Sequence, residues 1–324
     1  MKQNKSDLAG ELAKYDGDLR RMFKRGRALV KSEVSLAEII SRRQLSGGKR
    51  LRAVVALLSG RLCGLPDAMS DKTAVAIEFI HTATLLHDDV VDEAVLRRRQ
   101  STANHVYGNS AAVLAGDFLY SRASQILADI GCMPLLVWIA DATNSLAEGE
   151  IMQLEQRGCI MTKDIYFNII RRKTANLFEA ATAAAVLIAD RPAVLAAMTA
   201  YGRHLGMAFQ LIDDCLDYVG SDAEMGKKIG ADFAEGKMTL PAILALEKTN
   251  GTTRRRLLTG WKKNDDVSFA DTLRLARETG ALDEVHRLAA KESELAIAAL
   301  DELSPSLARD SLTTLAKVSV NRRC

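Results

Sequence analysis

Two acidic segments hold the densest chemistry of this chain, Asp88-Asp89-Val90-Val91-Asp92 and Asp213-Asp214-Cys215-Leu216-Asp217. Each follows an apolar run, FIHTATLLH before the first and FQLI before the second. On a helix, residues four apart share a face, so Asp88 stacks with Asp92 and Asp213 with Asp217. Carboxylates so placed repel one another unless a cation lies between them. An all-oxygen donor set suits Mg²⁺, which takes one or two carboxylates and completes its shell with substrate phosphates. One such segment reads equally well as a solvated helix end. Two, each behind a run that should be buried, point to a paired metal–phosphate site.

Cations stand where phosphates would need them. Gly47-Gly48-Lys49-Arg50-Leu51-Arg52 puts a flexible turn before a helix start, with Lys49 and Arg52 three apart on one face. Backbone N–H groups at a helix N-terminus, together with Lys and Arg, suit an anion. A basic helix start otherwise opposes the helix dipole. Arg97-Arg98-Arg99 follows the first acidic segment, and Arg171-Arg172-Lys173-Thr174 forms a basic point mid-helix where salt bridges are the plain alternative. Lys227 and Lys237 bracket a stretch, GKKIGADFAEGKMTLP, whose Gly226, Gly230 and Gly236 predict a mobile flap. His81 lies seven residues before Asp88, on nearly the same face, where a core histidine is the bland reading. His87 reads as a buttress of the helix.

The elements that must carry these residues are helices. The chain has 324 residues, 48% hydrophobic and 26% charged, with only five prolines. Its composition is rich in helix formers, and no alternating β-branched run appears. The patterns predict helices over 7–44, 49–63, 67–91, 108–130, 134–157, 163–189, 193–219, 236–249, 266–279, 281–301 and 305–321. No linker or fixed-period repeat divides the chain, so residues 1–324 read as a single all-α domain. A net charge of +3 gives no global pull toward nucleic acid. Five scattered cysteines without a CxxC argue against a disulfide framework and fit a reducing cytoplasm. The N-terminus lacks the apolar stretch of a signal peptide, and the longest apolar run, Ala180 to Ala189, is too short to span a bilayer. The expectation is a soluble, cytoplasmic protein with at most peripheral membrane contact.

In this order the segments GGKRLR, EFIHTATLLHDDVVDEAVLRR, AEGEIMQLE, KTANLFEAA, YGRHLGMAFQLIDDCLDY and GKKIGADFAEGKMTLP resemble the trans-isoprenyl diphosphate synthases, specifically the long-chain polyprenyl (octaprenyl-like) branch. The resemblance implies antiparallel helices around a deep central cavity, in a homodimer. It implies head-to-tail condensation of isopentenyl diphosphate onto an allylic diphosphate, farnesyl or geranyl, with Mg²⁺ as cofactor in three ions. Carried over, Asp88, Asp92 and Asp213 lead the metal ligands and Asp89, Asp214 and Asp217 support them. Lys49, Arg52, His81 and Arg98 would hold isopentenyl diphosphate. Arg97, Lys173, Lys227 and Lys237 would hold the allylic diphosphate, with catalytic Lys173, Thr174 and Gln210 beside the reacting centre. The family's RRGxPT becomes Arg98-Arg99-Gln100-Ser101-Thr102, and its GGKRxRP ends in Ala53. No metal ligand is lost by these departures.

The residues five and four before Asp88 are Ala83 and Thr84, both small where short-chain enzymes of the family place aromatics. Small residues there would let a growing tail pass, giving a product of about C35–C50, octaprenyl favoured, of the kind used for quinone side chains. Three alternatives remain at this point: a shorter-chain farnesyl or geranylgeranyl synthase, a class I terpene cyclase, and a non-catalytic subunit of a heteromeric synthase. A cyclase has no need of GGKRLR or a second DDxxD, and such subunits tend to lose the aspartates.

Overall fold

Long runs of Ala, Leu, Arg and Glu lose little side-chain freedom in a helix, and helices are what the chain forms. The computed structural model describes residues 7–45, 48–97, 100–219, 229–263 and 266–321, with the backbone alone at 262, 263 and 266. Its first helices are α1 (Leu8–Ala13), α2 (Asp16–Leu29), α3 (Ser35–Gln44), α4 (Leu51–Cys63) and α5 (Asp67–Val91). A two-strand hairpin, β1 (Leu96–Arg97) and β2 (Gln100–Ser101), leads into α6 (Ala103–Tyr107), α7 (Asn109–Ile130) and α8 (Met133–Glu155). Then come α9 (Lys163–Ile170), a π-helical turn (Arg171–Ala175), α10 (Asn176–Ile188), a 3₁₀ turn (Pro192–Val194) and α11 (Leu195–Val219). The rest is α12 (Ala231–Ala234), α13 (Leu240–Glu247), α14 (Gly251–Lys263), α15 (Asp266–Glu278), α16 (Ala281–Ala299) and α17 (Leu307–Val320). The all-α expectation is borne out.

Several local expectations need correction. The helix expected over 236–249 begins at Leu240, with Pro241 in its first turn, and the stretch read as a flap holds the short helix Ala231–Ala234. The single helix expected over 7–44 is three helices. Between α2 and α3, Ser32 Oγ accepts from the Val34 N–H at 3.1 Å and the Ser32 N–H donates to Glu38 at 3.2 Å; such side-chain bonds compete with the helical ladder. The break at Lys14 and Tyr15 lets α1 pack on α17 while α2 packs on α5. The segment 251–263, assigned to no element, is helical because Leu257 and Trp261, four apart, both bury against the core. The hairpin at 96–101 is too short to show a period in sequence. The stretch 163–189 is interrupted by its π turn.

Two long helices end in the acidic segments, and buried ion pairs pin the first. Asp71, fully buried on α5, receives Arg21 Nε at 2.9 Å and Arg25 Nε at 3.1 Å from α2. Arg50, at a left-handed φ of 54° just before α4, reaches buried Glu78 of α5 at 2.6 Å. Gly116 of α7 leaves room for the His87 ring, whose Nε2 donates to the Val113 carbonyl at 3.1 Å. His87 is thus a buttress, as the sequence suggested.

The second helix, α11, approaches α10 through two glycines. A Cβ on Gly202 would lie 2.7 Å from Glu179 Cα and Phe178 O, and one on Gly206 would lie 2.5 Å from Ala175 Cα. Both clashes are with backbone, which cannot swing aside. Gly202→Ala therefore opposes two effects: alanine gains about 1 kcal/mol of helix propensity, and overpacking costs about 1–3 kcal/mol. Packing should win. Urea denaturation should show G202A less stable than the wild type, and a gain in stability would refute the close approach.

Candidate active site

The first acidic segment closes α5, and its three aspartates face different partners. Asp89 is buried, 1% exposed, and accepts Arg97 Nε at 2.6 Å. Burial pushes the Asp89 carboxyl up, against the pull of Arg97. Asn104 Nδ2 holds the Asp89 carbonyl at 3.0 Å, so α6 fixes the end of α5. Asp88 faces Lys173, with Nζ 3.7 Å from its Oδ2. Asp92 accepts from Lys237 Nζ at 2.6 Å through Oδ2 and from Arg157 at 2.5 Å through Oδ1. Burial alone would raise the Asp92 carboxyl, but Lys237, Lys173 and Arg157 together hold it below the usual range.

The second segment sits on α11, one turn after Gln210. Thr174 Oγ1 donates to Gln210 Oε1 at 2.7 Å, and Gln210 Nε2 donates to Asp214 Oδ1 at 2.6 Å. Tyr166 donates its hydroxyl to Asp214 Oδ2 at 2.6 Å. Burial drives the Asp214 carboxyl to about 7, with Asp232 adding to the rise. Asp217 is fully buried, and its Oδ2 accepts the Asp232 N–H at 3.0 Å. Asp213, by contrast, is only half-buried.

Two bridges join the segments. The π turn carries Lys173 toward Asp88 and Thr174 toward Gln210. One extra residue in a helical turn redirects neighbouring side chains, and such bulges recur at functional sites. Gly149 of α8 permits it, since a Cβ there would lie 3.0 Å from the Lys173 nitrogen. The other bridge runs from Asp217 through the Asp232 backbone to the Lys237 N–H, which donates to the Asp232 carbonyl at 2.8 Å. Lys237 Nζ then reaches Asp92.

A separate cationic group lies near the start of α4. The Arg52 guanidinium stacks 4.4 Å over Phe178, with Nη1 3.3 Å from His81 Nε2. Lys49 Nζ lies 5.9 Å over Phe209, and the Phe178 and Phe209 rings are 5.7 Å apart. Lys49, Arg52 and His81 thus share one neighbourhood. Arg98, Arg99 and Lys227 lie outside the described residues.

The chain and its fold have known counterparts. Residues 33–273 match the polyprenyl synthetase family. The chain belongs to that family. It is similar to an all-trans-nonaprenyl-diphosphate synthase (geranyl-diphosphate specific) of Rhodobacter capsulatus, 40% identical over 90% of this chain and 91% of that protein. An octaprenyl diphosphate synthase of Haemophilus influenzae is 42% identical over 85% of each chain. A polyprenyl synthase of Caulobacter crescentus, crystallised with calcium and isoprenyl diphosphate, superposes with a TM-score of 0.90 at 36% identity, covering 99% of this chain and 100% of that one. The reading of the sequence as a prenyltransferase with long-chain, all-trans relatives is borne out.

Several groups in this polyprenyl synthetase site escaped the reading of the sequence. Lys173 Nζ is shared by Glu150 at 2.6 Å and Gln153 at 2.8 Å. Together with Arg157 these recur at i, i+3 and i+7, a helix-face period that could have exposed them. Tyr166 carried no local signal. Among the described residues no three carboxylate, histidine or cysteine side chains converge into a ready-made metal cage. The donors are nonetheless hard oxygens presented from two helix ends with cations between them. That set fits Mg²⁺ holding a diphosphate, which supplies the missing ligands.

Burial pushes Glu150 up to about 7, with Asp88 adding to the rise and Lys173 opposing it. Its folded value exceeds its unfolded one, so its contribution to stability is complete below about pH 4.3 and fades as pH rises through 7. Without divalent ions, the wild type should lose stability between about pH 4.3 and 7 more steeply than Glu150→Gln. Denaturant midpoints across that window check it, and parallel profiles would refute it.

Proposed function

We propose that this chain condenses isopentenyl diphosphate head-to-tail onto an allylic diphosphate, farnesyl or geranyl, and extends it to a long all-trans polyprenyl diphosphate. The observation that carries this reading is the pair of acidic helix ends bridged by Lys173 and Lys237. Asp88, Asp92 and Asp213 are the ligands that would hold Mg²⁺, with Asp89, Asp214 and Asp217 supporting them from burial. When bound, Mg²⁺ supplies charge neutralisation for the departing diphosphate.

The remaining work falls to this chain's own groups. Lys173 and Lys237, with Arg97 and Lys227, bind the allylic diphosphate and stabilise negative charge where it develops. Lys49, Arg52, His81 and Arg98 hold isopentenyl diphosphate, and Arg52 stacked on Phe178 suits a fixed anion clamp. Thr174 and Gln210, locked to each other and to Asp214, orient the space beside the reacting carbons. An allylic cation must be kept from water, so the site must close before the diphosphate departs. The departing diphosphate takes the final proton.

The tail is assigned a path below the first aspartates. Ala83 and Ala112, Ala115, Ala142, Ala180, Ala181 and Ala184 are the small members of a core cluster that also holds Phe79, Leu86 and Leu119; a small side chain at position 83 supports a path for a long product. Exposed Val106, Val113 and Leu114 on α6 and α7 are apolar surface that a homodimer would cover. Among the described residues no helix is long and apolar enough to cross a membrane. A cytoplasmic enzyme with peripheral membrane contact for product release, feeding quinone side chains, is the reading we adopt.

Purified protein given Mg²⁺, isopentenyl diphosphate and farnesyl diphosphate should yield long polyprenyl diphosphate. A hydrocarbon would indicate a cyclase, a C15–C20 diphosphate from a geranyl primer a short-chain synthase, and no product a non-catalytic subunit. Lys237→Ala, which removes one preorganised cation, should lower kcat about 10²–10³-fold. Ala83→Phe should shorten the product on chromatography. Unchanged length would sink the proposed tunnel route.

A further inference from the structure

One carboxylate gathers three elements. Asp92 caps α5, Arg157 follows α8, and Lys237 follows α12. Arg157 holds Asp92 Oδ1 at 2.5 Å and Lys237 holds Oδ2 at 2.6 Å. The two loops that carry these cations are tied to each other, since the Gly158 N–H donates to the Gly236 carbonyl at 2.9 Å. Both glycines take left-handed φ, 73° and 71°. A Cβ on Gly236 would lie 3.2 Å from Arg157 Cγ and 3.3 Å from the Gly158 nitrogen. Backbone conformations that glycine alone adopts readily thus hold Arg157 in place. The arrangement is built, unlike a chance surface pair between two flexible side chains.

Arg157 belongs to none of the acidic or basic motifs and has no part in the reaction as proposed above. Yet it occupies an oxygen that the proposed function assigns to a divalent ion. A guanidinium and a metal ion at Oδ1 compete for the same lone pairs and repel each other.

We propose that Arg157 is a positioning residue that holds Asp92 until substrate arrives, yields Oδ1 to the divalent ion, and turns to the incoming diphosphate. The proposal rests on the divalent-ion role of Asp92 given above. Its consequence is a site that resists metal alone and accepts metal with diphosphate. Without an anion, the ion must displace Arg157 and leave its charge unmatched. With diphosphate present, the released guanidinium gains phosphate oxygens in a charge-assisted bond.

The test is Mn²⁺ binding to the full chain, followed by electron paramagnetic resonance of the free ion, with and without inorganic pyrophosphate. Arg157→Gln should bind Mn²⁺ alone about three- to tenfold more tightly than the wild type, the scale of a half-buried ion pair. That advantage should shrink when pyrophosphate is present. Arg157→Lys, which keeps the charge, should return the wild-type threshold and separates charge from loop packing.

Equal or weaker binding of Mn²⁺ alone by R157Q overturns the proposal. So does an advantage that pyrophosphate leaves unchanged, or an R157K that behaves as R157Q does. Those outcomes, with Mn²⁺ binding intact, leave the proposed function standing. A wild type and variants that take no Mn²⁺ under either condition overturn the metal reading and this proposal with it.

Discussion

Carboxylates brought together at the ends of two buried helices must be separated by positive charge. Much of the site follows from that constraint. Asp88, Asp89 and Asp92 end α5, and Asp213, Asp214 and Asp217 line α11. Left ionised and unmatched in a low-dielectric interior, such groups would carry a large penalty. The chain meets the constraint in two ways. Where cations reach, as at Asp92, the carboxyl stays easily ionised. Where none of the described cations reaches, as at Asp214, burial raises the carboxyl to about 7 and the neutral donors Tyr166 and Gln210 complete the bonding.

Bringing cations to those positions requires backbones to approach closely, and that need explains where the small residues lie. Gly149 seats the π turn against α8, and Gly202 and Gly206 seat α11 against α10 and that turn. The result places Lys173 and Thr174, neighbours in sequence, on different acidic segments. A regular α-helix through Arg171–Ala175 would keep the standard spacing and direct those two side chains otherwise. Close packing and charge placement are therefore one problem with one solution here.

Much of this was legible beforehand. Asp88 and Asp92, or Asp213 and Asp217, repeat at helical spacing inside apolar surroundings, and polar groups so placed stand out, whereas Gln210 is implied only by the family resemblance. The limits of α5 were read to the residue because Pro66 precedes its start and the acidic segment closes it. Glu150 and Gln153 on α8, and Arg157 just past its end, repeat in the same way but among many exposed positions, where they look like a solvated face. Tyr166 is different in kind. It meets Asp214 across 48 residues, and no local pattern encodes a contact made by tertiary packing. The breaks inside 7–44 were hidden for a similar reason, since the direction of each helix is set by its partner and weakly by propensity.

The charge around the first segment also bears on when the site can fill. Arg97 is matched to Asp89, Lys173 to Glu150 and Asp88, Lys237 to Asp92 and Glu235, and Arg157 to Asp92 again. Glu150, with its carboxyl raised to about 7, carries only part of its charge near neutrality. Among the described residues around the first segment, acids and cations are thus close to balance before any ligand enters. A divalent ion arriving alone finds little excess negative charge to attract it. A diphosphate arriving alone meets cations already engaged with carboxylates. Arriving together, as the proposed function requires, the ion would take the carboxylates and the diphosphate the cations, so each of these charges would gain a partner. Charges so balanced around the first segment would favour joint entry of metal and substrate by electrostatics alone, before any movement of the chain is considered.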